Sequence, residues 1–155
     1  MKVIRKVYKG FKMLDNNSKI LLVEDNPVDI DLTKRAFKKQ NIDCEIQIAN
    51  DGEEACKALK DWENGISSPP SIILLDLKMP RMNGFDVLKV FKNSEIGRNI
   101  PIIVLTSSNE EKDINTAYEY GANSYLLKPI DYGEFLNLVQ IIINYWFGIN
   151  CFASN

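Results

Sequence analysis

The sequence predicts an α/β fold in which five parallel strands form a sheet with helices on both faces. Five short apolar segments alternate with five longer segments of helical periodicity. In the clearest of them, residues 71–76, four consecutive large apolar residues are followed directly by Asp76. A run this short, bounded by prolines, is typical of a strand that is buried on both faces. Because each strand is followed by a helix, we expect all five strands to run parallel.

Local patterns along the chain predict the remaining strands and helices. The other predicted strands cover residues 20–23, 45–49, 101–106 and 124–127. The predicted helices begin near residues 27, 52, 86, 110 and 132. Asn109 and Asp131 are expected to cap the fourth and fifth helices, and Gly121 is expected to end the fourth. The fifth helix is expected to continue to about Phe147.

Composition excludes several classes of function. The 155 residues suffice for one domain with a full core, and a pI near 5.3 argues against general nucleic-acid binding. The absence of histidine excludes Ser-His-Asp catalysis, zinc sites built on imidazole and a phosphohistidine on this chain. The three cysteines are scattered, and no apolar run reaches the length of a membrane span. We therefore expect a cytoplasmic protein without a membrane anchor.

Residues 1–18 differ in charge from the rest of the chain. They contain five basic residues and one acidic residue, for a net charge of +4, whereas the remainder has fourteen and twenty, for −6. An amphipathic arm that contacts a partner or a membrane surface is one interpretation. An extension of no functional importance is the interpretation we favour, because residues 15–18 have the composition of a linker. The predicted organisation is a basic extension (1–18), one domain (19–147) and a C-terminal tail (148–155).

Polar residues follow four of the five predicted strands. Glu24 and Asp25 follow the first strand, Asp76 follows the third, Thr106 ends the fourth, and Lys128 follows the fifth. The carboxyl ends of parallel strands meet at one edge of a sheet, so these side chains should converge. Clustered carboxylates repel one another, and Mg²⁺ relieves that repulsion. With a lysine present to bind oxyanions, the set suits phosphoryl transfer to a carboxylate.

An ordered set of residues carries a resemblance to a known family. Its members are Glu24-Asp25, Asp76, Met79-Pro80-Arg81-Met82-Asn83-Gly84, Thr106, Tyr125 and Lys128-Pro129. With these residues, the chain from about residue 18 to residue 147 resembles the receiver domain of two-component response regulators. The resemblance implies a flavodoxin-like, doubly wound sheet with the strand order 2-1-3-4-5. It further implies a signalling protein whose only chemistry is weak self-phosphorylation and autodephosphorylation.

The resemblance implies a magnesium site. Glu24, Asp25, Asp76 and the backbone carbonyl of Lys78 would hold the ion. Glu24 replaces the Asp often found at its position, and its longer side chain can act through a water molecule. The side chain of Lys78 is interpreted as solvated, and Arg81 as a surface charge rather than a catalytic group.

The resemblance also implies how the signal is received. Asp76 would accept a phosphoryl group from a phosphohistidine of a sensor histidine kinase, and Thr106 and Lys128 would bind the phosphoryl oxygens. Thr106 would then move inward, while Tyr125 would swing from an exposed to a buried position. A plain core aromatic is the alternative for Tyr125. The Lys128-Pro129 peptide bond is expected to be cis, as in the family.

The last predicted helix has more apolar residues than one face can bury. Phe135, Leu138, Val139 and Ile142 form one stripe that the sheet can cover. The remaining apolar residues are Leu136, Ile141, Ile143, Tyr145, Trp146, Phe147, Ile149 and Phe152. We expect them to form a homodimer interface. Similar aromatic C-terminal extensions occur in the small response regulators that pair with phytochrome-type kinases, a subgroup that this sequence resembles. A tail that folds back over its own domain is the alternative.

Two other functions are compatible with parts of the pattern. A Mg²⁺-dependent phosphatase with an aspartyl nucleophile would normally have a second Asp two residues later, where this chain has Lys78. An adaptor that no longer becomes phosphorylated would not need the complete set of site residues. A phosphorylation-dependent switch is therefore the function that the sequence favours.

Overall fold

The computed structural model describes residues 18–152, and its centre is a parallel five-stranded sheet. The strands are β1 (Lys19–Val23), β2 (Glu45–Ala49), β3 (Ile72–Leu75), β4 (Ile102–Thr106) and β5 (Ser124–Leu127). Their order in the sheet is β2-β1-β3-β4-β5, and every neighbouring pair is parallel. The predicted doubly wound architecture and its strand order are therefore confirmed.

Within residues 18–152, five helices alternate with the strands. They are α1 (Pro27–Lys39), α2 (Gly52–Glu63), α3 (Gly84–Asn93), α4 (Glu111–Glu119) and α5 (Tyr132–Ile143). A short 3-10 turn (Gly97–Asn99) precedes β4, and α5 continues as a π-helical segment (Asn144–Ile149). No helix within residues 18–152 combines the length and apolar character needed to cross a membrane.

The sheet separates two apolar cores because side chains alternate across its faces. Leu21 and Val23 point into the core formed with α2, α3 and Ala117 of α4. Ile20 and Leu22 point into the core formed with α1 and α5. β3, which lies within the predicted strand 71–76, is fully buried along its whole length, as its continuous apolar run indicated.

Side-chain caps begin four of the five helices in the described part of the chain. The side chains of Asn26, Asp51, Asn83 and Asp131 accept hydrogen bonds from backbone N–H groups in the first turns of α1, α2, α3 and α5. The third helix begins at Gly84, two residues before the expected start, because Asn83 caps it. The prediction that Asn109 caps the fourth helix was wrong. The N-cap there is Glu110, which makes no side-chain capping bond.

The C-terminal helix buries a wider face than the sequence pattern indicated. Ile143 and Phe147, which we expected at an interface, are fully buried in the α1/α5 core. Spacings of four residues from Val139 place both on the inner face, and the ring of Phe147 contacts that of Phe37 edge-on at 6.1 Å. The rest of the predicted surplus is divided. Ile141, Tyr145 and Ile149 are exposed, whereas Leu136, Trp146 and Phe152 are partly buried against the same core.

The tail therefore folds back in part. The rings of Trp146 and Phe152 lie 5.8 Å apart, which holds the end of the described chain against α5. Residues 1–17 of the predicted basic extension lie outside the described residues, so the role of the extension and its boundary at residue 18 stay predictions.

Candidate functional site

Backbone hydrogen bonds extend the sheet beyond its strands and bring the predicted residues to one edge. The N–H of Asp76 donates to the carbonyl of Val23 at 3.0 Å. The N–H of Lys128 donates to the carbonyl of Thr106 at 2.7 Å, and Glu24 is held to β2 in the same way. Asp76 and Lys128, 52 positions apart in the chain, thus face each other across the carboxyl ends of β3 and β5.

The Lys128 ammonium group is the electrostatic centre of the site. Its Nζ donates to Oδ2 of Asp76 at 3.1 Å and to Oδ2 of Asp29 at 2.9 Å, and it also donates to Oε2 of Glu24. Sequence reasoning missed Asp29. The available signal was its position in the first turn of a helix that starts at the ligand-binding edge of the sheet.

Burial shifts the proton affinities of this group of charges. It raises the pKa of Glu24 to about 7, against the opposing effect of the hydrogen bond and charge of Lys128. Burial by itself would lower the pKa of Lys128. The charges of Asp76 and Glu24 outweigh that effect and hold the Lys128 pKa above its ordinary value. Lys128 is therefore a permanent cation at neutral pH.

Three carboxylates form a cation-binding arrangement next to this lysine. Glu24, Asp25 and Asp76 each offer an oxygen atom within 4.8 Å of the others. Glu24 and Asp76 are buried and Asp25 is exposed, so the group opens to solvent on the Asp25 side. Oxygen ligands of this kind fit a hard divalent ion. The N–H of Lys78 donates to Oδ1 of Asp76 at 3.2 Å, which places the Lys78 backbone beside the same group.

Thr106 and Tyr125 are joined through Ser108. Thr106 is fully buried, and its hydroxyl oxygen accepts a hydrogen bond of 3.4 Å from the N–H of Ser108. The Tyr125 hydroxyl donates to the carbonyl of Ser108 at 2.8 Å, and the Ser108 hydroxyl donates to Asp113 at 2.6 Å. The ring of Tyr125 packs on the core formed with α2, α3 and α4. Tyr125 thus combines a core contact with a polar link to the loop after β4.

The side chain of Arg81 is largely exposed, as expected for a surface charge, and its guanidinium forms an ion pair with the buried carboxylate of Asp51. The expectation of a cis Lys128-Pro129 bond was wrong. The Lys128-Pro129 bond is trans, since the described residues contain no cis peptide bond. The backbone bond to Thr106 and the carboxylates around the ammonium group direct Lys128 without a cis bond.

Comparison with known sequences identifies the family. The model of the response regulator receiver domain matches residues 20–140. The probable methanogenesis regulatory protein FilR2 of Methanothrix harundinacea is 40% identical over 131 residues, which cover 84% of each chain. The response regulator Rcp1 of Synechocystis is 38% identical over 128 residues, which cover 82% of this chain and 87% of Rcp1.

Solved structures agree with this assignment. The phosphorylated cyanobacterial phytochrome response regulator RcpA matches with a TM-score of 0.83 and 33% identity, over 89% of this chain and 99% of RcpA. The Mn²⁺-bound form of Rcp1 matches with a TM-score of 0.81 and 35% identity, over 88% of this chain and 99% of Rcp1. The chain therefore belongs to the family of response regulator receiver domains, the signalling modules that act with histidine kinases in two-component systems.

Proposed function

We propose that Asp76 accepts a phosphoryl group from a phosphohistidine of a histidine kinase and that the protein signals through a resulting change in its protein contacts. The observation that carries this proposal is the Lys128 ammonium in contact with Asp76, beside three carboxylates that can hold a divalent ion. A buried carboxylate at the edge of a rigid sheet, with a fixed cation next to it, is a suitable acceptor for an anionic group.

In the proposed step, an Asp76 carboxylate oxygen forms a bond to phosphorus as the bond between phosphorus and the imidazole nitrogen breaks. The histidine of the kinase leaves with the electron pair of that bond, and Asp76 becomes an acyl phosphate. Lys128 neutralises charge on the phosphoryl oxygens, and the buried hydroxyl of Thr106 becomes a second donor to them. Glu24, Asp25, Asp76 and the carbonyl of Lys78 would hold Mg²⁺. The ion supplies charge neutralisation to the transferred group.

The Thr106–Ser108–Tyr125 hydrogen bonds form the proposed output. Movement of the Thr106 hydroxyl toward a phosphoryl oxygen breaks its bond with the N–H of Ser108. Ser108 also binds the Tyr125 hydroxyl, so a shift of this loop changes the position of Tyr125. Local charge and one small loop movement can therefore alter the surface around β5.

Labelling of Asp76 tests the proposed chemistry. The protein is incubated with Mg²⁺ and a small acyl phosphate donor, and the intact mass is compared before and after. We expect one phosphoryl group on the wild-type chain, none on Asp76→Asn, and a normal result for the control Asp43→Asn, whose side chain is exposed. Equal labelling of the wild type and Asp76→Asn would refute Asp76 as the acceptor.

We also propose that the protein catalyses no more than weak self-phosphorylation and autodephosphorylation, and that it functions in the cytoplasm. Its similarity to RcpA, a cyanobacterial phytochrome response regulator, supports a phytochrome-type kinase as the partner. Transfer from such a kinase, phosphorylated with labelled ATP, to the wild-type chain but not to Asp76→Asn would establish this partner class. Many turnovers of small phosphate esters per chain would instead indicate a phosphatase.

A homodimer is proposed through the outer face of α5 and its π-helical extension. Ile141, Tyr145 and Ile149 remain exposed there, next to a groove between α5 and β5. Exposed apolar groups so close together are typical of a protein interface. Light scattering should give twice the chain mass for the wild type and the mass of one chain for Ile141→Lys. The control Ile66→Lys alters an isolated exposed apolar residue and should remain dimeric.

A further inference from the structure

Asp29 contacts Lys128 but lies apart from the carboxylate group that can hold a metal. Its Oδ2 is 2.9 Å from Lys128 Nζ, and its side chain is 27% exposed. The three oxygens that converge as possible metal ligands come from Glu24, Asp25 and Asp76. Asp29 therefore contacts Lys128 without being the phosphoryl acceptor or one of the possible metal ligands.

The hydrogen-bonding capacity of Lys128 is fully used in this arrangement. An ammonium group has three N–H donors, and three carboxylates accept from Lys128: Glu24, Asp29 and Asp76. A phosphoryl oxygen that binds Lys128 must displace at least one of them. Glu24 can turn to the metal, and Asp76 carries the phosphoryl group itself. Asp29 is then the one of the three carboxylates that still accepts a hydrogen bond from the ammonium group.

The charge balance gives the same result. Asp29 adds a fourth carboxylate to Glu24, Asp25 and Asp76, against the single positive charge of Lys128. A bound divalent ion leaves the group negative by one unit, and the phosphoryl group adds further negative charge. Any carboxylate that is not a metal ligand therefore opposes the binding of an anion here.

We propose that Asp29 is a positioning residue that competes with the phosphoryl group for Lys128. This competition lowers the affinity of the site for the phosphoryl group. The inference rests on the proposed function of Asp76. Asp29 keeps the ammonium group within reach of Asp76 while the site is unphosphorylated. After transfer it competes with the phosphoryl oxygens for the ammonium group of Lys128.

Beryllofluoride binding tests this competition without a chemical step. Affinity is measured by calorimetry at saturating Mg²⁺ for the wild type, Asp29→Asn and the control Asp31→Asn. We expect Asp29→Asn to bind about two- to fivefold more tightly, as for the loss of one charge from a partly exposed pair. Asp31 lies on the same helix but pairs with Arg35 in solvent, so its variant should match the wild type.

Metal affinity provides the readout that separates competition from damage to the site. Mn²⁺ binding followed by electron paramagnetic resonance should be unchanged or weaker in Asp29→Asn, because a negative charge near the ion has been removed. A structural defect would weaken the binding of both ligands, whereas competition strengthens only that of beryllofluoride. The gain in beryllofluoride affinity should also require Lys128. In a Lys128→Met background, Asp29→Asn should change that affinity no more than Asp31→Asn does.

The outcomes separate this inference from the function on which it rests. Tighter beryllofluoride binding by Asp29→Asn, dependent on Lys128, supports the competition. Binding by the wild type with equal or weaker binding by Asp29→Asn overturns the inference alone. Failure of the wild type to bind beryllofluoride overturns the proposed function and the inference together.

Discussion

The guanidinium of Arg81 is paired with the carboxylate of Asp51, and the pair joins the loop after β3 to the first turn of α2. Asp51 is 5% exposed and also caps α2 by accepting from the N–H of Glu54 at 2.8 Å. Arg81 has a positive φ of 64°, a conformation that an arginine adopts at an energetic cost. The ion pair therefore connects the loop that carries Lys78 to α2, although Arg81 adopts a strained backbone conformation to form it.

Substitutions in this pair should have unequal effects on stability. Asp51→Ala removes both the cap and the ion pair, and we expect it to lower the free energy of unfolding by about 1–2 kcal/mol. Arg81→Ala should cost less than about 1 kcal/mol, because the arginine side chain is largely exposed. Urea unfolding of both variants measures the difference. A larger loss for Arg81→Ala would contradict the assignment of the cap as the main contribution.

Arg81→Gly provides the matched control for the backbone. It loses the same ion pair as Arg81→Ala but adopts a φ of 64° without steric strain. We expect it to be more stable than Arg81→Ala by about 1 kcal/mol. Equal stability of the two variants would show that the loop relaxes out of this conformation when the ion pair is lost.

Metal binding should depend on pH through Glu24. Its pKa is raised to about 7 in the metal-free protein, first by burial, so a proton competes with the ion below that pH. Mn²⁺ affinity should therefore decrease as the pH falls below 7, with a limit of about tenfold per pH unit. Glu24→Gln should bind more weakly and with little pH dependence in this range, while the exposed control Glu53→Gln should follow the wild type.

The same shift affects the stability of the metal-free protein. The folded state binds the Glu24 proton more tightly than the unfolded state, whose carboxyl has the ordinary pKa of 4.5. The contribution of Glu24 to stability is therefore largest below pH 4.5 and is lost as the pH rises through about 7. Urea unfolding with a chelator present should show this decrease in the wild type but not in Glu24→Gln.

Removal of the Tyr125 hydroxyl should weaken the link to the loop after β4. Tyr125→Phe keeps the ring in its core contact but loses the donor to the Ser108 carbonyl, 2.8 Å away. We expect a loss of about 0.5–1.5 kcal/mol in the free energy of unfolding. Tyr118→Phe, on the exposed side of α4, should cause no loss. An identical result for both variants would argue that the Tyr125 hydrogen bond is unimportant in solution.

Gly84 should be essential to the geometry of the acidic site. A Cβ at this position would lie 2.4 Å from the backbone oxygen of Asp76 and 2.7 Å from Cα of Leu77. Gly84→Ala therefore has to displace the segment that begins with Asp76. We expect a loss of about 1–3 kcal/mol in stability and weaker Mn²⁺ binding.

Gly133→Ala is the corresponding control for the added methyl group. In α5 the new Cβ would approach only a side-chain oxygen of Asp131, at 3.1 Å. Stability should change little or increase, since alanine favours the helix more than glycine does. Unchanged Mn²⁺ affinity in Gly84→Ala would contradict the link between this close approach and the metal site.

The architecture and the convergence of Asp76 and Lys128 at one edge of the sheet follow from the sequence alone. Continuous apolar runs specify strands buried on both faces, and Asn26 and Asp131 signal the helix starts that the structure confirms. Parallel strands with intervening helices have their carboxyl ends at one edge, so Asp76 and Lys128 could be placed together in advance. These inferences depend on local periodicity and on topology, both of which can be read from the order of residues.

Which side chains meet depends on how separate elements pack together. Asp29 and Lys128 are 99 positions apart, and Arg81 and Asp51 are 30 apart, so no local pattern pairs them. Phe147 is buried because α5 packs against Phe37 of α1, a contact that depends on how two helices lie on the sheet. Periodicity indicates which face of a helix is apolar. The width of the buried face and the partners of each charge depend on distances between separate elements, which the packing of the whole domain sets.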